Sequence, residues 1–113
     1  MRATIPDLVQ LLNMFSDAVR VTINRAMCDV LLSDEIDIDE LNIVRQISRL
    51  TSATNACRSD MQMLLDFTRS HQVDGRYRRV YRLLLRRYIR SYNHALLVFT
   101  DMRALVGRSC TQT

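Results

Sequence analysis

Ile43, Ile47, Leu50, Thr54, Cys57, Met61, Leu64 and Thr68 follow one another in alternating steps of four and three, without a slip. A helix of 3.6 residues per turn puts such positions on one stripe, whereas a strand scatters them over both faces. A second unbroken series, Tyr77, Tyr81, Leu84, Tyr88, Ser91, Ala95, Val98 and Met102, repeats the pattern. A third runs Ile5, Leu8, Leu12, Phe15, Val19, Ala26 and Val30 in steps of three, four and seven. Val9, Leu11, Met14, Ile23, Met27 and Leu31 broaden it, as suits a helix with two neighbours. Two glycines and one proline leave too few turn formers for an all-β chain.

The seams predict three helices, over about residues 5–32, 38–69 and 76–106. Thr4 is placed to cap the first, with Pro6 in its first turn and Asp7 three residues after the cap. Ser33 to Glu40 holds five acids in eight residues and reads as an acidic connector, with Asp37 and Glu40 at capping-box spacing. It is no calcium loop, because it has no central glycine and no second acid at twelve-residue spacing. Ser70 to Gly75 is the second connector, Gly107 marks the expected stop of the third helix, and residues 108–113 read as a tail. Within the seam from Ile43 to Thr68, Thr51 to Ala56 is small and polar, which lets another helix approach closely.

The expected architecture is all-α: one domain over 1–113, with three long antiparallel helices in an elongated bundle. Hydrophobic residues make up 48% of the chain, and a chain of this length buries roughly 65% of its unfolded surface. An elongated trio nonetheless has a thin core and exposes apolar stripe along its length. Self-association as a two-fold dimer follows.

Charge is distributed unevenly. Residues 1–75 hold seven arginines against eleven acids, while residues 76–113 hold nine arginines against Asp101 alone. Seven of the fifteen residues from Arg76 to Arg90 are arginine, and all four tyrosines lie between Tyr77 and Tyr92. On a helix, Arg78, Arg79, Arg82, Arg86 and Arg90 share an arc of about 120° opposite the tyrosines, and Arg76 and Arg87 extend it on one side. The row from Arg79 to Arg90 is about 16 Å long. There is no lysine. Arginine suits phosphate through its planar fork, but coding bias in a GC-rich or overlapping frame explains the missing lysines more simply.

No motif for catalysis is present: the chain lacks a glycine-rich phosphate loop, HExxH and paired CxxC, and neither His71 nor His94 has a motif around it. The expectation is a non-enzyme with no cofactor, no metal and no small-molecule substrate. Cys28, Cys57 and Cys110 are odd in number and widely spaced, which argues against a disulfide framework and predicts small buried hydrophobes in a reducing, cytoplasmic setting. The opening residues carry no leader pattern and no apolar run is long enough for a membrane span.

An arginine row on a rigid helix predicts binding to a polyanion. Because the tyrosines share their face with Leu84, Ala95 and Phe99, they belong to the core and do not form stacking platforms for single strands. Double-stranded RNA, recognised by shape and backbone without regard to sequence, is the favoured partner. The sequence leaves a second reading open, a helical adapter or structural oligomerisation module whose basic face meets an acidic protein.

The length, the two long helices from Asp7 to about Arg69, the arginines off the seam of the second helix and the segment Asp7-Leu8-Val9-Gln10-Leu11-Leu12 resemble the small RNA-silencing suppressors of nodaviruses. The resemblance covers about two-thirds of the chain; the third helix is longer and more basic than the family pattern. It implies an antiparallel helical dimer lying along double-stranded RNA. It also implies that Arg45, Arg49 and Arg58 on the second helix face the RNA.

Overall fold

A computed structural model describes residues 4–32, 38–71 and 75–111, which form three helices. α1 spans Ile5–Leu31, α2 spans Ile38–Ser70 and α3 spans Arg78–Thr111. The described residues contain no strand. The acidic run at 33–37, with the proposed pairing of Asp37 and Glu40, lies outside them, as do residues 72–74 of the second connector.

α1 starts as its sequence dictates. The Thr4 hydroxyl accepts from the Asp7 backbone N–H at 3.3 Å, and the Asp7 carboxylate accepts from the Thr4 N–H at 3.1 Å. This reciprocal cap satisfies donors that a helix start otherwise leaves bare. The Thr4 backbone, then its side chain, hold the Asp7 carboxyl below the usual carboxylate range. α2 carries Asp39 and Glu40 in its first turn and Arg69 in its last, in keeping with the helix dipole.

α3 departs from expectation at both ends. Arg76 and Tyr77 lie in the turn ahead of it, and the helix continues past Gly107 to Thr111. Glycine inside a helix costs only about 1 kcal/mol relative to alanine. Met102 and Val106 are buried just before it and hold the helix on the bundle, so Gly107 does not act as a stop.

All three seams point inward. Leu12, Phe15, Val19 and Ala26 of α1 meet Leu50, Cys57, Met61 and Leu64 of α2 and Tyr88, Ala95, Val98 and Met102 of α3 in one core. Phe15 packs against Tyr92 and Phe99 of α3, with ring centroids 5.3 and 5.4 Å apart. Asp60 of α2 meets Arg87 and Ser91 of α3, while Phe67 meets Tyr77. Rising numbers in α3 thus meet falling numbers in α2, and the pair is antiparallel. The same logic makes α1 antiparallel to α2, since Ser16 meets Arg58 and Ile23 lies near Thr51. The bundle is elongated, 59 × 24 × 17 Å.

The small run of α2 packs closely only in part, since Thr51, Ser52, Asn55 and Ala56 are exposed. Ala53 and Thr54 are buried, and the Thr54 hydroxyl donates to the Leu50 carbonyl at 2.7 Å, so it needs no partner from a neighbouring helix. At the α2–α3 turn, His71 stacks on Phe67 with centroids 4.8 Å apart and lies 4.6 Å from the Tyr77 ring. This aromatic cluster closes that end of the bundle. Among the described residues no helix is long and apolar enough to cross a membrane.

Candidate functional site

The inward seam of α3 decides what its outer face can be. Tyr88 is buried and Tyr81 and Tyr92 are half-buried against the core, while the half-buried Tyr77 packs on Phe67 and His71 at the turn. The opposite side is left to Arg78, Arg79, Arg82, Arg86 and Arg90, all exposed. Arg87 is exposed as well, and Arg76 is exposed in the turn ahead of the helix. A helix spanning Arg79 to Arg90 holds their Cα atoms at fixed spacing over about 16 Å.

Three of these arginines line a feature that the sequence did not reveal. A groove of about 690 Å³ runs between α2 and α3, with Ala56, Ser59 and Asp60 on one side and Leu83, Arg86, Arg87, Arg90 and Ser91 on the other. Small side chains at Ala56 and Ser59 keep it open. Asp60 is only 8% exposed. Its carboxylate accepts from the Ser91 hydroxyl through Oδ2, and Oδ1 lies 3.1 Å from Nε of Arg87. A buried carboxylate is costly without such partners. Asp60 therefore compensates one of the three guanidinium charges and fixes the direction of Arg87. The walls keep a net charge of about +2, which favours anions in a partly desolvated groove.

The signal for Asp60 was present but easily passed over. It is an acid three residues after Cys57, at the edge of the α2 seam, while Arg87 adjoins the buried Tyr88. Antiparallel packing brings these two edges together.

The three arginines of α2 do not form one surface. Arg45 and Arg49 share a helix stripe with Ala56 and Ser59, so they extend the basic surface on the groove side. Arg58 is turned to the other side, where its Nε donates to Oγ of Ser16 on α1 at 3.3 Å. It lines a smaller groove of about 220 Å³ between α1 and α2, away from the α3 row.

Behind the groove the core holds ionisable groups in their neutral forms. Burial, and then the nearby Asp60 charge, push the Cys57 thiol from 9.0 up to about 11. Burial, and then Cys57, also raise Tyr88 and Tyr92 above the ordinary phenol range. Such a thiol is a poor nucleophile at neutral pH. The Tyr88 hydroxyl lies buried beside that thiol without a well-formed hydrogen bond. His71 sits in the aromatic cluster and His94 is exposed on α3. Among the described residues no three His, Cys, Asp or Glu side chains gather as a metal site. In comparisons with protein families, curated proteins and solved structures, nothing matches this chain.

Proposed function

We propose that the chain is a non-enzymatic, sequence-independent binder of double-stranded RNA, acting as a homodimer through the arginine face of α3. The observation that carries the reading is the row Arg79, Arg82, Arg86 and Arg90, exposed on one helix beside the groove that Arg86, Arg87 and Arg90 line. Guanidinium groups at fixed spacing suit the phosphates of a rigid duplex, and forked donors can engage two phosphate oxygens. The inward tyrosines leave no stacking platform, which favours a duplex over a single strand. An A-form duplex presents a wide, shallow groove and regular phosphates to a rigid helical face. Arg45 and Arg49 extend the surface on α2, whereas Arg58 is engaged by Ser16 and adds little. A protein that coats duplex RNA in this way shields it from nucleases, the role of a viral suppressor of RNA silencing in the cytoplasm.

The test is a gel shift with an RNA duplex of about two helical turns and arbitrary sequence, at low salt. The expected result is a shifted band whose affinity does not depend on sequence. It weakens at least tenfold in the Arg82→Ala/Arg86→Ala variant, while the circular dichroism stays that of the parent. Absence of any shift, together with capture of an acidic protein by the same face, would instead support the adapter reading.

A further inference from the structure

The arginine row of α3 ends at the groove between α2 and α3. Arg79, Arg82, Arg86 and Arg90 follow one another along the helix, and beyond Arg90 the next arginine is Arg103. Arg86 and Arg90 belong both to the row and to the groove wall, where Arg87 joins them. The axes of packed helices lie about 8–10 Å apart, so a cleft between two of them admits one strand of nucleic acid and not a double helix. A duplex lying along the row reaches into the groove only with a strand end.

The charge of the groove distinguishes a strand end from the middle of a strand. Three guanidinium groups against the Asp60 carboxylate leave about +2. A phosphate inside a strand carries one negative charge. A terminal phosphate monoester carries about −1.5 to −2 at neutral pH and offers three acceptor oxygens. Asp60 engages Arg87 through Nε alone, so the two terminal amino groups of that guanidinium are left for an anion. The exposed Ser59 hydroxyl adds a donor on the α2 wall. Beside these polar groups Leu83 is 56% exposed, and Ala56 is exposed on the facing wall. Apolar surface next to arginines suits a ligand that carries a flat ring beside its phosphate, as a terminal nucleoside does.

We propose that the groove between α2 and α3 receives the terminal phosphate monoester of a nucleic-acid strand, with Arg86, Arg87 and Arg90 around the phosphate and Leu83 and Ala56 against the terminal nucleoside. The inference rests on the reading of α3 as a duplex-binding row and adds where the duplex ends. Asp60 serves this site in two ways. It aligns Arg87 before the ligand arrives, which lowers the ordering cost of binding. It also trims the charge of the walls to match that of a phosphate monoester. The row from Arg79 to Arg90 then holds phosphates within the strand, and the groove holds its end.

Fluorescence anisotropy of the full chain tests this with RNA duplexes of one sequence and three kinds of end: hydroxyl, phosphate, and phosphate capped as its methyl ester. The phosphate-ended duplex is expected to bind about tenfold more tightly than the hydroxyl-ended one, in keeping with charge-assisted, forked contacts. The methyl ester, which carries a single charge, is expected to lose most of that preference. Ala56→Leu fills the groove from an exposed helix position and is expected to bring the ratio to about one while the circular dichroism stays that of the parent. Equal affinity for phosphate and hydroxyl ends overturns the inference and leaves the duplex reading standing. A preference that survives Ala56→Leu overturns its placement in this groove. Adenosine 5′-monophosphate is expected to compete far more weakly than the phosphate-ended duplex, because it makes no contact along the row. If it competes equally well, the groove belongs to free nucleotides and the strand-end assignment falls. Binding of none of the duplexes overturns both the inference and the reading it rests on.

Discussion

α1 and α3 are built alike and finished differently. Each turns a regular apolar seam into the same core, Phe15 and Val19 from one and Tyr88, Val98 and Met102 from the other. On their outer faces the chemistry diverges. α1 presents Leu11, Met14 and Val21, and α3 presents Arg79, Arg82, Arg86 and Arg90. The inward positions hold the bundle together, while the outward positions offer apolar side chains along α1 and guanidinium groups along α3. Burial separates the two roles sharply enough that they can be broken one at a time.

The largest effect is expected from the shared inner seam. Leu64 is fully buried, so Leu64→Ala should lower the unfolding free energy in urea by about 2–5 kcal/mol through lost burial and a residual cavity. Arg82→Ala on the outer face of α3 should change it by less than about 0.5 kcal/mol. Comparable losses from both would dissolve the distinction between inner and outer faces.

Asp60 lies where the two roles meet, and its replacement should separate them. Asp60→Asn removes the carboxylate that Arg87 and Ser91 share. It should cost about 1–3 kcal/mol, the usual range for disturbing a buried polar group. The same change leaves the groove more positive, so duplex affinity should rise as stability falls. If affinity and stability fell together, Asp60 would serve the groove as an organiser more than as a counter-charge.

A smaller effect belongs to alkaline pH. Cys57 is neutral in the folded core, with its pKa raised from 9.0 to about 11, and Tyr88 and Tyr92 shift in the same direction. A raised acid pKa contributes stability that is complete below the unfolded value. That stability is lost as pH climbs toward the folded value. Urea midpoints should therefore hold to about pH 9 and decline between about pH 9 and 11, and Cys57→Ala should soften the decline. A midpoint that is flat across that window would contradict the buried, neutral thiol.

These contrasts also show what could be read from the sequence. The four-three alternation located every helix, because a buried stripe must repeat with the helix period, and the inward turn of Tyr88 followed from its place between Leu84 and Ala95. Gly107 misled, because a single glycine weakens a helix less than the packing of Met102 and Val106 holds it. The outer face of α3 was legible as an arginine arc. The groove beside it was not, since it depends on which edge of α2 lies against α3 and on the smallness of Ala56 and Ser59. For the same reason Arg58 was grouped with Arg45 and Arg49, although contact with α1 turns it to Ser16. Periodicity reports faces within a helix; pairings between helices need the fold.

The central claim, that the outer face of α3 engages duplex phosphates, is tested most directly by titrating salt against RNA-duplex affinity. It should be done for the parent chain and for Arg86→Ala/Arg90→Ala. Each phosphate contact releases counterions, so the logarithm of the affinity should fall steeply and linearly with the logarithm of the salt concentration. The variant should bind more weakly and lose about one unit of slope for each arginine removed from the contact. A parent affinity that is indifferent to salt, or a variant with an unchanged slope, would contradict the account.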